Sequence, residues 1–368
     1  MNELRSTVDI LQHGIASGDH PGAQIYVSLR GKVIADTAVG HARENVPLTR
    51  DSLMPWLSAG KPITAVCVAK VWERGALDLD DRVTKFVPEF AAHGKEAVTI
   101  RHVLTHTGCF PNVNTGWPHV TWDEVIRRIC NAPLHTGWKV GEVASYHIHS
   151  GWFILAEIIR RIDGRTFDAF VREELFEPLG MRDSWIGMPL EKFEAYGERI
   201  AIMHQTERSP AAPPKPDPLF RAERFAFPAP GSNAVGPIRE LGIFYEMMLA
   251  KGRRGPLEVL SPQAVDALTA PHRVGMVDQV FQHKMDWGLG FIIDSKHYGQ
   301  PTLPYGFGPH ASRRTFGHSG NQSSCAFADP EHGLVVAWAC NGQSGEDRHH
   351  ARAERINAAI YEDLKLAY

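Results

Sequence analysis

Ser58 and Lys61 stand three residues apart in LSAGKPITAVCVAKVWERG, a hydroxyl and an amine at the head of an apolar segment that reads as a helix. Three residues is nearly one helical turn, so both groups share a face and can reach one reacting atom. Such a pair suits an activated serine. An unassisted hydroxyl is a poor nucleophile at neutral pH and needs a base within hydrogen-bond reach during attack. Lys61 is a candidate for that base, or for the cation that creates it. Two common residues at this spacing also arise about once by chance in a chain of this length, so the pair gains meaning only with partners elsewhere.

Two other segments supply candidates. Tyr146 in ASYHIHSGW precedes a helical pattern and follows a turn region with Gly137 and Gly141, so its phenol can project from a loop into a cleft. A core tyrosine with a satisfied hydroxyl is the bland alternative. In FGHSGNQSSCAFAD, the triplet His318-Ser319-Gly320 stands before a strand-like run, and a glycine there lets backbone pass close to a ligand. The amide after it, that of Asn321, could donate to an oxyanion.

These groups need a scaffold. The chain has 368 residues, 43% hydrophobic and 22% charged, enough for a large buried core and for two domains or one with a big insertion. The balance of 39 basic and 42 acidic residues gives −3 with no long run of one sign, so nothing recruits nucleic acid or an anionic membrane. The N-terminal amphipathic pattern lacks a signal-peptide core, and no segment is long enough to span a bilayer, which predicts a cytoplasmic protein. Cys67, Cys109, Cys130, Cys325 and Cys340 have no CxxC spacing and read as buried thiols. His102, His106, His147, His149 and the pair His349-His350 invite a metal reading, yet no HExxH or carboxylate partner accompanies them; no cofactor and no metal is expected. Trp56, Trp138, Trp152 and Trp287 read as core or cleft walls.

Residues 23–40 read as a hairpin turning at Arg30-Gly31. Helical periodicity covers 62–74, 97–107, 122–130 and the segment closed by Gly164. Residues 204–231 are too proline-rich for regular helix or central strand and predict a long surface loop or lid, partly packed through Phe220, Phe225 and Phe227. A helix follows from about Pro237, stopped at Gly252; then strands at 287–293, 323–329 and 333–341, and a terminal helix. Strands at both ends predict one shared sheet.

Together, in this order and at these intervals, the three segments resemble the serine β-lactamase and penicillin-binding superfamily, specifically class C β-lactamases, D-amino-acid-specific peptidases and related esterases. LDLDDRVTKFVPEF, IRHVLTHTG, FVREELFEPLGMRDS, WGLGF and ADPEHGLVVAWACNG extend the likeness over most of the chain. The resemblance implies an α/β (α+β) fold with an antiparallel sheet flanked by helices plus an all-helical region. Residues 1–57 and 237–368 would form the sandwich and 58–236 the helical part, with the site between. It implies Ser58 as nucleophile, Lys61 as the SxxK lysine, Tyr146 as the second-motif tyrosine, His318-Ser319-Gly320 as the third motif, and the amides of Ser58 and Asn321 as oxyanion hole.

The asparagine expected two residues after the tyrosine is Ile148. Isoleucine offers only apolar contact where an amide substrate would want a polar partner, which favours esters over lactams unless His147 or His149 restores a donor. A free lysine or tyrosine is a poor base near neutrality, with pKa values of about 10.4 and 10. Lys61 kept as a cation beside Tyr146 would lower the phenol's pKa. The predicted function is therefore a serine hydrolase working through an acyl-enzyme, most simply a carboxylesterase on a small-molecule ester or amide. A D-stereospecific peptidase, an acyltransferase binding a second substrate under the proline-rich loop, or a weak β-lactamase shares the same nucleophile. A non-catalytic scaffold is the reading from a different class, and a homo-oligomer is compatible with everything above.

Overall fold

A computed structural model describes residues 4–207, 214–218, 220–299 and 305–367. Its centre is one eight-stranded antiparallel sheet. The strands are β1 (Gly22–Leu29), β2 (Lys32–Arg43), β3 (Val46–Pro47), β4 (Asp286–Trp287), β5 (Ile292–Ile293), β6 (Phe316–Gly320), β7 (Ser324–Asp329) and β8 (Leu334–Cys340), in spatial order β4-β5-β6-β7-β8-β1-β2-β3. The first and last segments share this sheet, as the strand pattern predicted, because β1 pairs with β8 from Ala23↔Cys340 to Leu29↔Leu334.

The helices used below are α1 (Arg5–Ala16), α2 (Lys61–Glu73), α3 (Trp122–Cys130), α4 (Ser150–Asp163), α5 (Ile238–Leu249) and α6 (Glu346–Asp363). Period-2 geometry sends alternate side chains to opposite faces. Val335, Ala337 and Ala339 of β8 join the core that holds α2, α4 and α5, whereas Leu334, Val336, Trp338 and Cys340 join the core with Leu11 of α1 and Ile356 and Ile360 of α6. Both faces are covered, which is why LVVAWAC is apolar throughout rather than alternating.

Several predicted elements come out shorter or different. Residues 97–107 yield only a helix at Ile100–Leu104, capped by Thr99, and His106 beyond it has φ +57. The 287–293 run is the end of β4, a turn at 288–291 with Gly290 at φ +83, and β5, because the glycines of WGLGF break one strand into two. The proline-rich segment is not wholly irregular: a five-residue helix forms at Ala222–Ala226 between its prolines, and His204–Gln205 pairs with Lys215–Pro216. Its aromatics do pack. Phe225 is buried with Leu53, Met188 and Ile200, and Phe227 lies 6.4 Å from Trp122 and 6.2 Å from Trp117. All five cysteines are free and buried, and Trp56, Trp152 and Trp287 are fully buried; Trp138 instead leans on His135 at 4.3 Å, partly exposed.

Candidate active site

Ser58 lies in a 3-10 turn, Leu57–Gly60, that leads into α2 rather than within the α-helix itself. Leu57 takes φ +51, a left-handed conformation that leucine adopts at a cost. Neighbours hold the turn in place. Trp56 donates its backbone N–H to the Ala234 carbonyl at 2.8 Å and its indole N–H to the Gly236 carbonyl at 2.9 Å, while the Ser324 hydroxyl donates to the Trp56 carbonyl at 2.7 Å. Gly320, the last residue of the third motif, is small for this reason: a Cβ there would meet the Trp56 carbonyl at 2.4 Å and Ser324 Oγ at 2.3 Å. The close approach is to the turn that carries Ser58.

Lys61 is completely buried, and its Nζ is hydrogen-bonded to Ser58 Oγ at 2.8 Å and donates to the Gly231 carbonyl at 2.6 Å. The amine also lies over the rings of Tyr146, at 5.2 Å, and Trp152, at 5.7 Å. Burial drives its pKa well below the ordinary lysine value. Tyr146 is 7% exposed, and burial pushes its phenol pKa up, with the nearby Asp278 charge adding to the rise and a hydrogen bond with Ser58 opposing it. Burial therefore acts against both the lysine cation and the tyrosinate of that expectation.

His318 on β6 is buried, and its pKa falls to about 3 through burial and the proximity of Lys61. Neutral, it donates from Nδ1 to the Ser319 carbonyl at 2.8 Å, which leaves Nε2 as a buried acceptor with no protein partner. It can anchor a donor but not supply a cation.

Ser58, Tyr146, Ile148, His318, Ser319 and Asn321 line one cleft of about 460 Å³, closed further by Val280, Phe281, Ile292, Tyr305, Glu346 and His350. Ile148 is 42% exposed in it. Neither neighbouring histidine replaces the absent asparagine. His147 is buried and hydrogen-bonds through Nε2 to the Phe110 carbonyl at 2.7 Å, and His149 Nδ1 sits 2.5 Å from Ser232 Oγ. Among the described residues of the proline-rich loop none lines this cleft; its part is the Gly231 carbonyl beneath Lys61. Among the described residues no group of three or more His, Cys, Asp or Glu side chains could hold a metal ion, and no helix is long and apolar enough to cross a membrane.

Several contributors carry no signal in the sequence that assigns them to this site. Gly231 reaches Lys61 from 170 positions away. Asp278, fully buried, accepts the Tyr146 N–H at 3.2 Å and ion-pairs with buried Arg273. Glu346 and His350 sit in EDRHHARAERI, which reads as the solvated side of a terminal helix.

A turn carrying Ser58, a buried amine, a phenol and the His318-Ser319-Gly320 strand point to a class that comparison with known proteins makes explicit. The profile of the Beta-lactamase family matches residues 8–360, and the chain belongs to that family. Among curated proteins it is similar to the esterase/beta-lactamase LipL of Mycobacterium tuberculosis, 25% identical over 86% of this chain and 76% of that protein. It is also similar to esterase EstB of Burkholderia gladioli, 31% identical over 44% and 46%. Two solved structures superpose over nearly the whole chain. A penicillin-binding protein homologue from Caulobacter crescentus has TM-score 0.80 and 29% identity, covering 99% of this chain and 98% of that one. A family VIII carboxylesterase has TM-score 0.80 and 25% identity, covering 98% of each. The chain is thus an enzyme of the serine hydrolase class with the β-lactamase/transpeptidase fold expected from its motifs.

Proposed function

We propose that this protein is a carboxylesterase that passes an acyl group through a Ser58 ester. The observation that carries the reading is the 2.8 Å contact between Lys61 Nζ and Ser58 Oγ, with burial favouring the neutral amine. Lys61 takes the Ser58 proton as Oγ attacks the ester carbonyl carbon. The oxyanion meets the amides of Ser58 and Asn321. Tyr146, still protonated, relays a proton to the departing alkoxide, and a water then repeats the sequence on the acyl-enzyme. His318 Nε2 accepts a hydrogen bond from substrate. On this reading residues 58–236 form the mostly helical part and 1–57 with 237–368 the sheet part, and the cleft opens between them.

Ile148 supports esters over lactams and peptides, because it offers no polar partner to an acylamide. The test is a fluorophosphonate probe mapped by peptide mass, with turnover of p-nitrophenyl butyrate set against nitrocefin. Labelling at Ser58, its loss in Ser58→Ala, and ester turnover far above nitrocefin are expected. Ile148→Asn should raise the nitrocefin-to-ester ratio by about tenfold. An unlabelled Ser58 overturns the nucleophile, and nitrocefin turnover equal to that of the ester overturns the substrate preference.

A further inference from the structure

The cleft has two unlike walls. Ile148, Val280, Phe281 and Ile292 form an apolar side, and Tyr305, Asn321, Glu346 and His350 face it. Among the described lining residues Glu346 is the one carboxylate, and no lysine or arginine stands with it. Burial disfavours the charged form of the two cationic candidates nearest the nucleophile, Lys61 and His318. Glu346 is the reverse case. Burial acts to raise its pKa, but the nearby His350 and hydrogen bonds from Tyr305 and Gln322 outweigh it and hold the carboxyl below the ordinary range. The Tyr305 hydroxyl lies 3.0 Å from each carboxylate oxygen, Gln322 Nε2 donates at 3.3 Å, and His350 Nε2 is 3.2 Å away. The carboxylate is thus held in place, its side chain 48% exposed, and the residue lines the cleft. Beside it runs an aromatic row, with ring centroids of Tyr146 and Phe281 at 4.8 Å and of Phe281 and Tyr305 at 5.8 Å.

A fixed anion next to aromatic faces attracts an ammonium group and repels a carboxylate. We propose that Glu346 selects substrates by charge, so that the cleft prefers ammonium-bearing esters, accepts neutral ones and rejects those carrying a carboxylate. Glu346 also occupies the first turn of α6, where an acid suits the helix dipole. That accounts for a carboxylate at the position but not for its opening onto the cavity that holds Ser58. The inference rests on the esterase reading, since it names the substrate class of that site.

The test compares kcat/KM for p-nitrophenyl acyl esters of matched length ending in trimethylammonium, tert-butyl or carboxylate, at low salt and mildly alkaline pH. One unit charge at contact range changes affinity by about tenfold, so an ammonium-to-carboxylate ratio of roughly thirtyfold or more is expected. Glu346→Gln should bring that ratio to within about threefold of one, and Glu346→Lys should invert it. A wild-type ratio near one, or a ratio unchanged in Glu346→Gln, overturns the proposal. Binding of phenyltrimethylammonium and benzoate, followed by tryptophan fluorescence, separates this from failure of the esterase reading. If no ester is turned over, tighter phenyltrimethylammonium binding that is lost in Glu346→Gln still upholds charge selection, and equal binding of both rejects it.

Discussion

Asp278 and Arg273 form a 3.0 Å ion pair in which the side chains are 0% and 1% exposed, and the same carboxylate accepts the backbone N–H of Tyr146 at 3.2 Å. Its Oδ1 also takes the Val280 N–H at 2.9 Å, while Arg273 donates to the Thr105 carbonyl at 3.2 Å. One buried pair therefore fixes both the proposed proton relay and the apolar wall of the cleft. Asp278→Asn keeps the shape but leaves Arg273 charged and unpaired, which costs about 3–5 kcal/mol. A melting temperature lower by roughly 5–10 °C is expected, together with a loss of kcat as Tyr146 drifts. An unchanged melting temperature would mean the pair contributes little.

Lys61→Met separates chemistry from packing. The thioether is similar in length and adapts to the same slot, and it relieves the cost of burying an amine while leaving the Gly231 carbonyl without its donor. These effects oppose each other, so the melting temperature should move by only a few degrees. Turnover should fall by about 10²–10⁴. In the wild type the amine must be neutral to act, so activity is lost as pH falls through its depressed pKa and does not depend on ionising Tyr146, whose pKa is raised. A purified Lys61→Met protein with more than a tenth of normal kcat would rule Lys61 out as the base.

Acid should unfold the protein early. Burial lowers the pKa of His20 and His318 to about 3 and that of His147 to about 4, with Arg352 adding to the effect at His20 and Lys61 at His318. Each is neutral in the fold and becomes protonated in the unfolded chain near pH 6.5, so the unfolded state binds more protons below that value. Their stabilisation is complete above about pH 6.5 and is lost as pH falls toward 4 and 3, at up to about 1.4 kcal/mol per pH unit for each histidine. Urea midpoints should be level from pH 7 to 8 and drop steeply from pH 6 to 5. A flat profile down to pH 5 would contradict the buried-histidine account.

Much of this was legible in the chain because the relevant signals are local. The Ser58–Lys61 spacing needs only one turn of helix to be meaningful, and Gly164, at φ +88, announces the end of α4 as any αL cap does. LVVAWAC could be read as a strand buried on both faces. What escaped reading depends on contacts far apart in sequence. Nothing near Lys61 says that its amine is dry, and the burial that depresses its pKa comes with Trp152, Tyr146 and Gly231 closing over it. Glu346 looks like a solvated helix-start acid until the β6–β7 turn and Tyr305 are brought against it. The broken strand at 287–293 is a case where apolar character overrode the two glycines that set the turn.

Gly320 ties the third motif to the nucleophile, and its replacement tests that tie. The residue closes β6 opposite Ser324 of β7, and its Cα passes so near the Ser58 turn that an added methyl would also meet Leu57 Cβ at 3.1 Å. Backbone atoms cannot yield as the end of a flexible side chain can, so either the Trp56 carbonyl or β6 must shift. A shift of that kind displaces the Ser58 amide from the Asn321 amide, and removing one oxyanion donor typically costs about 10²–10³ in kcat. Gly320→Ala should therefore lose kcat in that range, with a weaker effect on KM, and should slow fluorophosphonate labelling of Ser58. The control is Gly333→Ala, at a glycine in the β7–β8 turn with φ +69, where strain is confined to a surface turn. That variant should lose some thermal stability and keep its kcat. Equal catalytic loss in both variants would show that Gly320 acts through general destabilisation and not through the alignment of Ser58 with Asn321.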